Sequence, residues 1–253
     1  MRVAFVGKGG AGKSSIAGVF ARLVARDGGS VVALDSDPMP GLAYSLGVPS
    51  TDAGLPDEAV EEYEDSAGRR RYRLPAGMDA ASTVERYATV SPDGVRLLQL
   101  GKARGAKGEN WRSHQAYQLL VDGLSDGDWS VVGDLPGGTR QPFFGWGRFA
   151  RTVFVVAEPT PASMLSARRL ARLAEHSTAP RVVAIASKTR APSDAALIEE
   201  RTGLHVVAAV PYDDAQQEAD RRGLALLDLD SDTPLVCAVS ALVSSLTVEE
   251  PVR

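Results

Sequence analysis

Gly7-Lys8-Gly9-Gly10-Ala11-Gly12-Lys13-Ser14, followed by Ser15, matches G-x-x-x-x-G-K-[ST] and is the part of this sequence with the clearest chemistry. Small residues let the backbone curl so that successive N–H groups point at phosphate oxygens, and the positive end of a following helix adds to that field. Lys13 then neutralises the β and γ phosphates, and the Ser14 hydroxyl is placed to ligate Mg²⁺. Lys8 is not needed for this cradle.

Two further acidic positions follow in order. The segment Leu34-Asp35-Ser36-Asp37-Pro38 ends a strand-like run, where a carboxylate can hold Mg²⁺ waters or orient an attacking water. Asp37 is the candidate for that role, with Asp35 in support. Val131-Val132-Gly133-Asp134-Leu135-Pro136-Gly137-Gly138 is a second apolar run ending in Asp, in which Gly138 can bring a backbone N–H to the γ-phosphate. Ser14 and Asp37 are the candidate Mg²⁺ contacts read from the phosphate loop and the 34–38 segment, partly through water.

These groups need a scaffold that brings them to one edge. Apolar runs recur at 3–6, 30–34, 95–100, 130–133, 152–157, 181–186 and 205–210, and runs apolar on both faces suit strands of a covered parallel sheet. Helical patterns at 14–27, 163–176, 194–201 and 214–222 alternate with them. The order predicts an α/β fold, a doubly wound, mostly parallel sheet of about seven strands with helices on both faces. The whole of 1–253 is expected to be one domain. The charged, Gly- and Pro-containing stretch 49–93 breaks the rhythm and is expected to be an insertion, helical only near 57–65, with Arg69, Arg70, Arg71 and Arg73 answering its acidic residues in a solvated hairpin or loop.

Composition narrows the partners. With 28 basic against 32 acidic residues the formal charge is -4, so no overall field draws the chain to nucleic acid or anionic lipid. Cys237 is the sole cysteine, which fits a reducing compartment and leaves no pair for a disulfide or a thiolate metal site. The first residues enter a strand directly, and the apolar stretch 234–246 is too short to cross a bilayer and predicts a buried helix. A cytoplasmic location is expected, without a membrane partner.

Lys8-Gly9-Gly10-Ala11-Gly12-Lys13-Ser14 resembles the deviant Walker A motif of the MinD/ParA class of P-loop ATPases. Over nearly the whole chain the similarity runs most closely to the accessory ATPases that insert nickel into carbon monoxide dehydrogenase. The resemblance implies that Lys8 reaches the nucleotide of a dimer partner, that Asp37 activates water and that Asp134 is the Walker B carboxylate, joining Ser14 and Asp37 around Mg²⁺. It also implies that Ser187, Lys188, Pro211, Tyr212 and Asp213 hold the adenine, although the family usually has Asn where Ser187 stands. ATP is expected rather than GTP, because Ser187-Lys188-Thr189-Arg190 is not an N-K-x-D motif.

Where those accessory ATPases carry Cys-x-Cys, this chain reads Gly108-Glu109-Asn110-Trp111-Arg112-Ser113-His114, so neither nickel nor an iron–sulfur cluster is expected. His114 is taken as an ordinary helix-start or surface residue. The expected function is an ATP hydrolase that closes a homodimer on Mg-ATP and acts on a client protein. A non-hydrolysing nucleotide-dependent scaffold and a small-molecule kinase or ligase on the same sheet are the alternatives.

Overall fold

The computed structural model describes residues 1–37, 41–49, 54–100, 111–124, 129–136, 145, 147–176 and 181–249. Ten strands are present among them: β1 (Arg2–Gly7), β2 (Val31–Asp35), β3 (Glu61–Glu64), β4 (Arg70–Arg73), β5 (Thr89–Val90), β6 (Arg96–Gln99), β7 (Ser130–Asp134), β8 (Thr152–Ala157), β9 (Arg181–Thr189) and β10 (Val206–Pro211). Eight form one sheet in the order β10-β9-β8-β1-β7-β2-β6-β5. Every neighbouring pair is parallel except β5 with β6. All seven expected strands are in this sheet; β5 adds a two-residue antiparallel edge.

The helices are α1 (Lys13–Arg26), α2 (Leu42–Leu46), α3 (Ala80–Tyr87), α4 (Trp111–Gly123), α5 (Pro161–Ala174), α6 (Ser193–Thr202), α7 (Asp214–Arg222), α8 (Leu226–Leu229) and α9 (Pro234–Glu249). Strand residues alternate between two cores, as a period of two requires. Val3 and Phe5 face a layer containing Ile16 and Phe20 of α1, Leu42 and Leu46 of α2, and Val239 and Leu242 of α9. Ala4 and Val6 face the opposite layer, with Val84 of α3, Leu120 of α4, Leu170 of α5 and Ile198 of α6. Phe5, Phe20 and Phe154 pack ring to ring, with Phe5 centroids 5.5 Å from Phe20 and 5.1 Å from Phe154, pinning α1 to the sheet centre. Truncating a buried Phe of this kind to Ala costs about 3–5 kcal/mol.

The stretch near 57–65 departs from its helical expectation. Asp57–Ala59 is one 3-10 turn, and Glu61–Glu64 pairs antiparallel with Arg70–Arg73. Charge complementarity across the hairpin favours the strand: Glu61 meets Arg73 at 3.2 Å, Glu62 meets Arg70 at 2.9 Å, and Asp65 takes Arg69 at 2.9 Å and Arg71 at 3.1 Å. All four arginines are thereby answered, as the sequence suggested. The same stretch also supplies α3, begun by a reciprocal capping box between Asp79 and Ser82.

α9 fills the expected position, burying Leu235, Val239 and Leu246, although Cys237 falls on its exposed side. Among the described residues, no helix is long and apolar enough to cross a membrane.

One buried group was not anticipated. Arg22, on α1, is fully enclosed, its Nε paired with Asp93 in the β5–β6 turn and its Nη2 2.6 Å from Asp228 of α8. Burial alone would lower its pKa, but the two carboxylates outweigh it and raise it. Nη1 has no hydrogen-bond partner among the described residues.

Candidate functional site

The site gathers where β1, β2 and β7 end together. Register pairs Phe5 with Asp134 and Asp35 with Asp134, so two carboxylates and the start of the phosphate loop leave the sheet at one level. Gly7 closes β1 with φ 153°, and a Cβ there would lie 2.3 Å from the Val156 carbonyl oxygen of β8. Gly12 then turns the chain into α1 from the left-handed region, φ 90°, with no side chain capping the helix. The first N–H groups of α1 therefore stay available to a ligand.

Lys13 is buried, and its Nζ stands 3.7 Å from Oδ2 of Asp37. Next to it, the Ser14 hydroxyl donates to Oδ2 of Asp134 at 2.5 Å. Asp134 is wholly buried, and its Oδ1 has no hydrogen-bond partner among the described residues. Burial raises the Asp134 pKa, against the opposing pull of Lys13 and the Ser14 hydrogen bond. Asp35 is raised as well, first by burial and then by the charge of Asp134. Its oxygens accept the Asp37 N–H at 3.1 Å and the Leu42 N–H at 3.2 Å, so Asp35 shapes the loop that presents Asp37.

Lys8 behaves differently from Lys13. It is exposed, its carbonyl accepts the Ala11 N–H at 3.1 Å, and its ammonium makes no ion pair with a described residue.

A cleft of about 310 Å³ adjoins the loop, lined by Gly10, Gly12, Lys13, Ser14 and Ser15 on one side. Ser187, Lys188, Pro211, Tyr212 and Asp213 line the other, so five residues predicted from two distant stretches meet the phosphate loop in one cavity. The Arg190 guanidinium stacks on the Tyr212 ring, 3.8 Å from its centroid. The Asp213 carboxylate is engaged by the backbone N–H of Ala215 at 2.9 Å and of Leu235 at 3.0 Å, starting α7 and joining it to α9. Sequence reasoning did not single out Gln216 and Gln217, which also line the cleft; their place one turn into α7, after Asp213, was the available signal.

Lys188 has φ 55°, unusual for a residue with a side chain. Its Nζ lies 2.6 Å from both the Gly10 carbonyl oxygen and Oε1 of Glu158, tying the phosphate loop to the end of β8.

Gly137 and Gly138 lie outside the described residues. His114 is on α4, half-buried, with its pKa lowered by burial. Among the described residues no group of three or more His, Cys, Asp or Glu side chains is arranged to hold a metal.

Comparison with known proteins joins this geometry to a family. The profile of CbiA, the CobQ/CobB/MinD/ParA nucleotide binding domain, matches residues 3–227. The chain belongs to this family. It is 28% identical over 243 residues to the carbon monoxide dehydrogenase accessory protein CooC of Rhodospirillum rubrum, with 90% of each chain covered. The fold is similar to MinD of Pyrococcus horikoshii complexed with Mg-ADP, with a TM-score of 0.69, 16% identity, and coverage of 99% of this chain and 98% of that one. A ParA family ATPase from Chlorobium tepidum gives a TM-score of 0.68 at 19% identity, covering 97% of this chain and 98% of the other. The CobQ/CobB/MinD/ParA assignment thus agrees with the expected P-loop fold, here with an eight-stranded sheet.

Proposed function

We propose that this chain is a Mg-ATP-dependent dimerisation switch: ATP closes two copies face to face, Lys8 of each completes the other's phosphate site, and hydrolysis releases them to act on a client protein. The carrying observation is the contrast between the two lysines. Lys13 is buried beside Asp37, already committed to its own loop, whereas Lys8 is exposed without an ion pair to a described residue. A cation supplied in trans stabilises the transition state as an arginine finger does.

In this reading the α1 N–H groups and Lys13 hold the phosphates, and Asp37, at the mouth of the loop, accepts a proton of the attacking water and aims its oxygen at the γ-phosphorus. The unpartnered, fully buried Oδ1 of Asp134 beside the Ser14 hydroxyl fits a hard cation, with Asp37 contributing through water. Mg²⁺ there would neutralise charge developing on the β and γ phosphates. Two protein oxygens are too few to hold it alone, so nucleotide oxygens and waters would complete the shell. The adenine would occupy the 310 Å³ cleft against Ser187, Pro211 and Tyr212.

The relatives support the nucleotide and the client without fixing either. The P. horikoshii MinD structure is a Mg-ADP complex, and R. rubrum CooC is an accessory protein to an enzyme. With Cys237 the only thiol, the client role proposed here rests on protein contacts rather than on a carried soft metal.

Light scattering with Mg-ATP on an Asp37→Asn background, with and without Lys8→Ala, tests the switch. The Asp37→Asn protein should double in mass with ATP and the double variant should not. A monomer in both, together with turnover that survives Lys8→Ala alone, would overturn the switch and favour transfer of the γ-phosphoryl group to a small molecule.

A further inference from the structure

Away from the phosphate loop, α5 and α6 enclose a groove of about 520 Å³. Its walls are mainly apolar: Pro159, Pro161, Met164 and Leu165 on one side and Leu197 on the other. Leu165 leaves 51% of its surface exposed, and its contiguity with the other apolar lining residues is what marks the groove. Arg168 and Arg201 stand over the groove, and at Arg168 it runs into a second hollow of about 430 Å³ that adds Arg172. Residues 161, 165, 168 and 172 share one face of α5 by their spacing, as do 197 and 201 on α6.

The three arginines are exposed and make no ion pair with a described residue. The β3–β4 hairpin, by contrast, answers each of its four arginines with a carboxylate. Across both hollows the one lining carboxylate is Glu175, in the second hollow. We infer that the α5–α6 groove is a docking site for an amphipathic helical segment of a partner protein, its apolar face against Leu165 and Leu197 and its acidic residues against Arg168, Arg172 and Arg201. A nucleic acid would find basic charge but an apolar floor where its backbone should sit. A second copy meeting the same groove by two-fold symmetry would bring arginine against arginine. An acidic amphipathic helix satisfies both features at once.

The groove is also joined to the phosphate loop. Glu158, three residues before α5, donates its N–H to the Ser163 hydroxyl at 3.0 Å and pairs with Lys188, which in turn holds the Gly10 carbonyl. The docked segment is accordingly assigned to the client of the switch, an assignment that rests on the function proposed above; the docking itself does not.

Fluorescence anisotropy on the full chain decides the matter. The probe is a labelled synthetic peptide of roughly 18 residues, long enough to hold a helix when docked, with Leu at i, i+3, i+4 and i+7 and Glu between. Its scrambled and Glu-to-Lys copies and a short duplex DNA serve as controls. Wild-type protein should bind the acidic helix alone, and Arg168→Glu with Arg201→Glu should weaken it at least about tenfold, as should Leu165→Asp. Unchanged nucleotide binding by calorimetry verifies that the variants fold. Absent or equal binding of the scrambled copy and the acidic helix, indifference to the charge reversal, or DNA binding or self-association lost by that reversal would each overturn the proposal. Because anisotropy is read without nucleotide, a failed Lys8 test would leave this result standing.

Discussion

Ser14 and Asp134, 120 positions apart, share a hydrogen bond of 2.5 Å that links the first turn of α1 to the end of β7. The hydroxyl takes up one carboxylate oxygen and leaves the other, Oδ1, buried without a partner among the described residues. Such an atom costs stability until something cationic satisfies it. Asp134→Asn should therefore leave the nucleotide-free protein as stable as wild type or more so, while abolishing the effect of Mg²⁺ on ATP affinity. Thermal melts and calorimetry with and without EDTA measure the two halves; a variant that melts lower yet keeps the Mg²⁺ effect would contradict the cation site.

Lys13 and Asp37 are expected to separate binding from turnover. Lys13→Ala removes the charge partner of the phosphates and should weaken ATP binding by about 2 kcal/mol or more, on the scale of a buried charge-assisted contact. Asp37→Asn should bind ATP nearly as tightly as wild type but release phosphate about a hundredfold more slowly, since the group that aims the water and takes its proton is lost while the phosphate contacts remain. Calorimetry and a phosphate-release assay give both numbers, and unchanged turnover in Asp37→Asn would remove it from the mechanism.

Purified protein should carry no stoichiometric nickel or zinc after chelation, and neither metal should change its mass in solution. The ligands available are hard oxygens and scattered imidazoles: His114 lies on α4, and His205 is 3.5 Å from Glu199. Elemental analysis settles this, and a retained equivalent of nickel would expose a site that the sequence does not suggest.

The Arg22 network should contribute to the loss of stability at low pH. Asp93→Ala leaves a buried guanidinium with one carboxylate and should cost about 3 kcal/mol, whereas Arg22→Met fills similar space, leaves two partly hydrated carboxylates and should cost less. Burial would raise the Asp93 pKa, but hydrogen bonds from Arg22 and Arg26 outweigh it and hold it below the ordinary range. A carboxylate lowered by folding stabilises the native state above its unfolded pKa, so this contribution is fully present above about pH 4 and is lost below it. Urea titrations across that range should show an acid loss in wild type that shrinks in Arg22→Met.

Much of this was legible because it depends on period and spacing. Seven strands announced themselves by being apolar on both faces, and the phosphate loop by its glycines and Lys13. The carboxylates Asp37 and Asp134 followed from their places at strand ends. What stayed hidden depends on contacts between distant segments. Nothing in the spacing of α1 marks Arg22 as buried, since its partners Asp93 and Asp228 come from distant segments, and Glu61–Glu64 reads as helical until Arg70–Arg73 lies alongside. β5, two residues long, exists only as an edge to β6. The cleft walls were foreseen residue by residue through resemblance, while Gln216 and Gln217 were added only by the turn of α7.

The close approach of Gly7 to the Val156 carbonyl has an evolutionary consequence. That glycine answers to the neighbouring strand, whether or not a phosphate is ever bound, while Gly9 faces open space and answers to no such neighbour. A descendant that abandoned nucleotides would still be held to glycine at 7, whereas position 9 would be free to drift. In degenerate copies of this domain the first glycine of the motif would persist as a fossil of the sheet, and the lysines after it would be the better record of whether the engine still runs.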